Sequence, residues 1–237
     1  LQELLLQKKG VKKHTFNGWN RSSEVLLLTI PAFRDALAEE VTGKKKVLKS
    51  GVRTIVSDFE TVMKIRTMQE LLFVVHTQTD DNVLSTDPET LAAQLAESDL
   101  MQILTETHKG DVPFCFRIGV SGTMPLEERS IFAKRVAAAI EGAFERNLIN
   151  STSHYEVELR LLQHREGGFV PLLKLYTLPD YRFDYRRYYV AASMKPTLAA
   201  GLIALAKPYL KEYAQILDPF CGVGTLLMER RFAVPAR

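Results

Sequence analysis

The feature that most constrains this sequence is a glycine-rich turn near its carboxyl end. A largely apolar stretch, 214–217, leads into Asp218, and Gly222 and Gly224 follow before a second apolar run begins at Leu226. This order predicts a strand, a tight turn and a helix, which together form a ligand pocket at the carboxyl edge of a parallel sheet. Glycine lets the backbone approach a ligand closely and adopt dihedral angles that other residues resist. We therefore expect a ligand-binding turn at the start of an α/β unit.

Other glycine-rich loops fit this turn poorly. A phosphate-binding P-loop has a lysine after its last glycine, where this chain has Thr225. A dinucleotide-binding loop has a third glycine, where this chain has Leu227, and an acidic residue about 20 positions later, beyond the end of the chain. A structural turn with incidental glycines is the remaining alternative, and it does not explain Asp218 with the Pro-Phe-Cys run.

The string D-P-F-C-G-V-G-T-L-L-M-E at 218–229 resembles motif I of class I S-adenosylmethionine-dependent methyltransferases. More narrowly, it resembles the RNA-modifying members that carry an amino-terminal THUMP domain. The K-P-T-L-A-A segment at 195–200 is similar to the helix that precedes motif I in that family. The resemblance implies S-adenosylmethionine as the cofactor, bound by Asp218, Pro219, Phe220, Cys221, Gly222, Gly224, Thr225, Pro196 and Thr197.

The same resemblance implies a reaction and residue roles. Asp218 would orient the methionine moiety of the cofactor, and Thr225 would begin the following helix. The methyl group would pass to an exocyclic amine of an RNA base, most often N2 of guanine in tRNA or rRNA. The family's catalytic [ND]-P-P-[YF] motif would lie beyond Arg237, so no catalytic residue can be named. We expect an amino-terminal portion of a longer enzyme that is inactive alone. The alternatives are an N6-adenine DNA methyltransferase and a non-catalytic THUMP RNA-binding module.

Hydrophobic patterns upstream predict two α+β units with antiparallel sheets. The first has the β-α-β-β-α-β order typical of a ferredoxin-like unit, with elements at Val25–Ile30, Ala32–Val41, Val47–Asp58, Thr61–Gln69 and Leu71–Val75. The second has the order that the resemblance implies for a THUMP domain, with elements at Pro88–Thr107, Phe114–Val120, Glu127–Asn147, Tyr155–Gln163 and Phe169–Leu178. A parallel methyltransferase sheet would begin only near residue 214.

These patterns divide the chain into consecutive segments. We predict a basic amino-terminal segment at 1–24, a ferredoxin-like domain at 25–80, a THUMP RNA-binding domain at 86–192 and an incomplete methyltransferase domain at 193–237. The fold class is thus α+β, followed by the truncated start of an α/β Rossmann-like domain.

Composition sets limits on the environment and the partners. Cys115 and Cys221 lie far apart without metal-ligand spacing, which indicates a reducing, cytoplasmic environment and no metal site. No run reaches the length of a membrane helix. The net charge of +3 is compatible with nucleic acid as a partner.

 Cations and aromatic residues alternate through 181–189. The arginines of this segment can hold phosphates while its rings stack on unpaired bases. On this reading RNA contacts Arg182, Arg186, Arg187 and Lys195. The alternative is that the segment packs between modules. The lysines at 44–46 form a solvated turn or lie along an RNA backbone. We expect the five histidines to be exposed or hydrogen-bonded.

Overall fold

The computed structural model describes residues 14–19, 21–110, 113–188, 190 and 192–234. The strands are β1 (Thr15–Phe16), β2 (Ser23–Leu28), β3 (Lys45–Leu48), β4 (Gly51–Val56), β5 (Glu70–Val74), β6 (His108–Lys109), β7 (Phe114–Ser121), β8 (Leu148–Asn150), β9 (Val157–Gln163) and β10 (Phe169–Leu175). The helices are α1 (Arg34–Glu40), α2 (Phe59–Val62), α3 (Pro88–Ala96), α4 (Leu100–Thr107), α5 (Leu126–Ala143), α6 (Pro196–Ala206) and α7 (Thr225–Ala233).

These elements form two compact units, each made of two separate stretches of chain. The first unit comprises the described residues up to Arg21 together with Leu72–Pro179, and the second comprises Ser22–Leu71 with the chain from Asp180 onward. The sequence had suggested consecutive segments instead. The difference arises because the contacts that close each unit join residues far apart in the chain, which a local pattern does not reveal.

The first unit contains a mixed sheet with the order β5-β10-β9-β7-β8. Strands β9 and β10 form the predicted antiparallel hairpin, with Leu159 opposite Leu173. Strand β7 runs parallel to both of its neighbours, β8 and β9, so the prediction of purely antiparallel sheets was wrong. The reason is that helix α5 connects β7 to β8, and such a crossover returns the chain in the same direction. The short strand β8 was not predicted.

The start of the first unit is held by buried polar contacts. The backbone N–H of His14 donates to Glu156 at 2.6 Å, and the imidazole Nδ1 lies 3.1 Å from the same carboxylate. The ring of His14 stacks on Phe114 with centroids 3.6 Å apart. Trp19 packs against Phe73, with ring centroids 4.4 Å apart. Sequence patterns assigned no element here, because these contacts are long-range.

The second unit has the strand order β3-β4-β2, followed by the first residues of β5. The elements from β2 to β5 follow the predicted β-α-β-β-α-β order along the chain, although α2 is only four residues long. Helix α6 lies against the segment that precedes α1. At Gly201, a Cβ atom would come within 2.2 Å of the ring of Phe33. Only glycine therefore allows this close approach.

Candidate functional site

The glycine-rich turn adopts a compact conformation that leads directly into α7. The Asp218 carboxylate accepts the backbone N–H of Phe220 at 2.9 Å, and the Cys221 carbonyl accepts that of Gly224 at 2.8 Å. Gly222 and Gly224 have φ angles of +56° and +73°, and Gly224 is the residue immediately before α7. Since L-residues with side chains rarely adopt this region, the glycines are required by the turn itself.

The turn leaves room and donors for a ligand. A Cβ atom at Gly222 or Gly224 would meet no atom within 4 Å among the described residues. The first backbone N–H groups of a helix have no partner within the helix, and they point toward a ligand at its amino end. The Thr225 hydroxyl, in the first turn of α7, is buried and has no hydrogen-bond partner in the described part of the chain. These residues fit a small ligand with polar groups.

Helix α7 is fixed by a buried charged cluster within the second unit. Glu229, which is 1% exposed, accepts two hydrogen bonds from the Arg66 guanidinium, at 2.7 and 2.8 Å. The Tyr185 hydroxyl donates to the same carboxylate at 2.5 Å. The guanidinium also lies 4.4 Å from the ring centroid of Phe232. Sequence reasoning missed Arg66 and the role of Glu229, since these partners are 163 residues apart.

Arg182 does not face solvent, and the structure contradicts its prediction as an RNA contact. Its side chain is buried, with the residue 9% exposed, and it donates to the carbonyls of Ile65 and Met68 at 2.7 and 2.8 Å. It also donates twice to the carboxylate of Asp180. A buried guanidinium that spends four of its five N–H donors on acceptors inside the unit is not available as a surface contact for phosphate. Arg182 therefore packs inside the second unit.

The other predicted RNA contacts differ in exposure. Arg187 and Lys195 are exposed, and Arg186 is partly buried. Lys195 directly precedes α6, and its carbonyl accepts backbone N–H groups from the first turn of that helix. Pro196 and Thr197, predicted as cofactor contacts, form that turn and are partly buried. Their role in binding stays a prediction.

The predicted strand at 214–217 is absent from the described structure. Leu217 is 90% exposed and Phe220 is 93% exposed. A strand needs a neighbour to satisfy its peptide groups, and no described strand pairs with this segment. Beside it lies an open, mainly apolar cavity of about 480 Å³, which includes Asp218, Leu226 and Ile203 in its lining.

A family model matches part of the chain. The family described as UPF0020, RMKL-like, methyltransferase domain, matches residues 184–235. This range contains α6, the glycine-rich turn and α7. No curated protein sequence matches the chain significantly. The match therefore covers the part of the chain whose motifs resemble methyltransferases.

Several solved structures resemble the chain in fold. TrmN from Thermus thermophilus is 21% identical, with a TM-score of 0.61 over 90% of this chain and 64% of that chain. A predicted N6-adenine-specific DNA methylase from Listeria monocytogenes is 19% identical, with a TM-score of 0.57 over 94% of this chain and 56% of that chain. SMU.472, a methyltransferase candidate complexed with SAH, is 16% identical, with a TM-score of 0.62 over 90% of this chain and 56% of that chain. At these identities the likeness concerns the fold.

Together these findings relate residues 184–235 to a methyltransferase domain family and the fold of the chain to that of the solved structures. The chain spans between 56% and 64% of the length of the three similar structures. In the described residues, no group of His, Cys, Asp and Glu side chains is arranged to hold a metal ion. None of the described helices is both long and apolar enough to cross a membrane.

Proposed function

We propose that this chain is part of an S-adenosylmethionine-dependent methyltransferase that modifies an exocyclic amine of an RNA base, with N2 of guanine in tRNA or rRNA as the target. The observation that carries the proposal is the turn from Asp218 to Thr225. Its two left-handed glycines and the free amino end of α7 lie within the range that matches the methyltransferase family.

The cofactor supplies a methyl group that is already activated by its sulfonium. The chain's own contribution is to bind and orient, and much of the rate of such a displacement comes from correct positioning of the reacting groups. Asp218 would accept a hydrogen bond from the amine of the methionine moiety. The backbone at Gly222 and Gly224 would allow close contact, and the N–H groups of α7 would face polar atoms of the cofactor.

The RNA substrate is supported by the order of elements. The β-α-β-β-α-β order of the second unit fits the proposed ferredoxin-like unit, and the helices and hairpin of the first unit fit the proposed THUMP domain. A base within an RNA duplex would have to be flipped out to reach the methyl group.

A DNA adenine target is the second candidate. It is favoured by one specific observation, the similarity in fold to the N6-adenine-specific DNA methylase from Listeria monocytogenes. Both targets are exocyclic amines, so the cofactor turn does not distinguish them. Methylation assays on matched RNA and DNA oligonucleotides containing guanine or adenine separate the two candidates.

Cofactor binding tests the proposal directly. In the full-length protein, Asp218→Ala should weaken S-adenosylmethionine binding by about ten- to a hundredfold, because a charged hydrogen bond contributes roughly 1.5–3 kcal/mol. Isothermal titration calorimetry measures this change. Asp218→Asn keeps an acceptor for the N–H of Phe220 but removes the charge, so it should also weaken binding if the carboxylate contacts the cofactor. Asp184→Ala, at an exposed acid in the same unit, is the matched control. Unchanged affinity in both Asp218 variants would contradict the assignment.

A further inference from the structure

The loop that carries Arg66 is fixed by hydrogen bonds on both sides of that residue. This loop, 65–68, lies between α2 and β5, and the carbonyls of its first and last residues accept from the buried Arg182 at 2.7 and 2.8 Å. The Glu40 carboxylate accepts the backbone N–H and the hydroxyl of Thr67 at 2.9 and 2.6 Å. These bonds give the backbone at Arg66 a defined position within the second unit.

The side chain of Arg66 holds α7 through a two-bond fork. Its Nε and Nη2 atoms donate separately to the two carboxylate oxygens of Glu229, at 2.7 and 2.8 Å. Two parallel hydrogen bonds between a planar guanidinium and a planar carboxylate fix the orientation of both groups, which a single bond does not. Helix α7 is thus held at Glu229 in both position and rotation.

Aromatic side chains enclose the fork. The Tyr185 hydroxyl donates to the Glu229 carboxylate at 2.5 Å. Burial, together with the hydrogen bond and the charge of Glu229, raises the pKa of Tyr185 above its ordinary value, so the hydroxyl stays protonated and donates. The Arg66 guanidinium lies 4.4 and 5.2 Å from the ring centroids of Phe232 and Phe183. Rings this close attract the cation and keep water away from the fork.

Four further charged residues line the same cavity as the fork, which has a volume of about 300 Å³. They are two acids and two lysines: Glu39, Glu40, Lys64 and Lys207. The Glu40 carboxylate is occupied by Thr67. Among the described residues, none of these four forms an ion pair with either member of the fork. Glu229 is therefore the carboxylate that orients the Arg66 side chain.

Glu229 lies one helical turn from the glycine-rich turn at 218–225. It comes four residues after Thr225, the first residue of α7, so the two share a face of the helix and lie about 6 Å apart along its axis. Both residues are buried. The backbone N–H of Met228 donates to the carbonyl of Gly224 at 3.0 Å, so the helix continues directly from the turn. A shift of Glu229 therefore moves the first N–H groups of α7.

Stability alone does not explain a buried ion pair at this position. Taking both charges out of water costs about as much as their attraction returns, so apolar side chains of similar volume would often stabilise the helix equally well. A fork supplies a single geometry instead. A ligand that is bound by backbone N–H groups needs those groups held within about 0.5 Å of the productive position.

We propose that Arg66 is a positioning residue for S-adenosylmethionine, and that its fork with Glu229 sets the position of the glycine-rich turn and of the first N–H groups of α7. Arg66 acts through Glu229 and makes no contact with the cofactor itself. The inference rests on the proposed function for the identity of the ligand. It assigns a role in cofactor affinity to a residue 163 positions before its partner on α7.

Arg66→Lys is the main test, because lysine keeps the charge and loses the fork. In the full-length protein, isothermal titration calorimetry should show S-adenosylmethionine binding that is about three- to thirtyfold weaker, a range expected for residues that act on a site without touching the ligand. Arg53→Lys is the matched control. Arg53 makes the same fork to Glu24 in the same unit, at 2.6 and 2.7 Å, but neither residue lies on α7. This control should change the dissociation constant by less than about twofold.

Calorimetry also separates positioning from a loss of folded protein. A merely structural role would lower the melting temperature and the measured stoichiometry, and it would leave the dissociation constant of the folded molecules unchanged. Val52→Ala, which removes two carbon atoms from a buried side chain of β4, should give that pattern. Well below its melting temperature, Arg66→Lys should instead raise the dissociation constant at unchanged stoichiometry.

A double variant covers the case in which Arg66→Lys does not fold. Arg66→Met combined with Glu229→Gln removes both charges together, so neither is left buried alone, and the new amide still offers an acceptor to Tyr185. Thermal melts should place this variant close to the wild type. Its dissociation constant should nevertheless be raised as much as that of Arg66→Lys, because the fork is absent.

The outcomes distinguish this inference from the proposed function. If Arg66→Lys and the double variant both bind S-adenosylmethionine like the wild type, the fork does not position the turn. If Arg53→Lys weakens binding as much as Arg66→Lys does, the effect belongs to ion pairs in general and the inference is wrong. If the wild type binds the cofactor and Asp218→Ala weakens binding while the Arg66 variants do not, only this inference fails. If the wild type binds no S-adenosylmethionine, the proposed function fails and this inference fails with it.

Discussion

Replacing Arg182 with alanine should destabilise the protein without changing how RNA binding depends on salt. The substitution removes two charge-assisted hydrogen bonds to the carbonyls of Ile65 and Met68 and leaves both acceptors without their donor. The ion pair with Asp180 adds little, because that carboxylate is 44% exposed. Together these losses predict a decrease in unfolding free energy of about 2–4 kcal/mol. The melting temperature should fall by roughly 5–15 °C, because a protein of this size loses about 2–4 °C per kcal/mol.

Thermal melts of the wild type, Arg182→Ala and the exposed control Arg187→Ala measure this difference. The control should stay within about 0.5 kcal/mol of the wild type. Anisotropy titrations at several salt concentrations should give the same slope for Arg182→Ala as for the wild type. A variant that melts like the wild type but has a smaller salt slope would refute the burial argument and restore Arg182 as a phosphate contact.

The pH dependence of the unfolding free energy provides a second test of the same substitution. Burial acts to raise the pKa of Asp180, but hydrogen bonds and charge from Arg182 outweigh it and hold the pKa below its usual value. A depressed carboxylate pKa stabilises the folded state above its unfolded pKa, about 3.9, and the contribution is lost as the pH falls through the lower folded value. Arg182→Ala should remove this part of the acid sensitivity. Denaturant titrations from neutral pH to about pH 3 measure it.

Two other predictions concern packing. Gly142→Ala should stabilise the protein by about 0.5–1 kcal/mol, because a Cβ atom there meets nothing within 4 Å in the described structure, whereas Gly201→Ala should destabilise it by about 1–3 kcal/mol through its clash with Phe33. Urea titrations that rank the two variants in the opposite order would contradict this prediction. Glu229→Gln should cost about 3 kcal/mol, since it leaves the largely buried Arg66 without its carboxylate, and Glu212→Gln at an exposed site is the control. A melt of Glu229→Gln that matches its control would show that the cluster contributes little.

Local patterns predicted the elements well wherever a segment packs on its near neighbours in sequence. Strand β2, helix α1 and the β9–β10 hairpin all lie close to their predicted positions, because alternation and helical spacing report directly which face is buried. The glycine turn was also found at its predicted place, since positive φ angles at Gly222 and Gly224 follow from the sequence alone.

The failures share a physical cause, which is dependence on distant partners. The sequence suggested that Arg182 is a surface cation. In the structure it is buried and donates to carbonyls more than a hundred residues earlier in the chain. The apolar segment at 214–217 has strand composition but no described neighbour to pair with. Parallel pairing of β7 depends on where α5 returns the chain, which periodicity does not encode.

The division of each unit between two distant stretches has a consequence for synthesis on the ribosome. Residues 22–71 emerge early, yet the contacts from Arg182 and Glu229 that complete their unit come from residues synthesised more than a hundred positions later. The early stretch must therefore wait, incompletely packed, while the intervening unit is made. Contacts of such long sequence separation also slow folding, because the loop has to close before they form. Holding nascent chains at increasing lengths and probing them with protease should show protection of residues 22–71 only after α7 has left the exit tunnel.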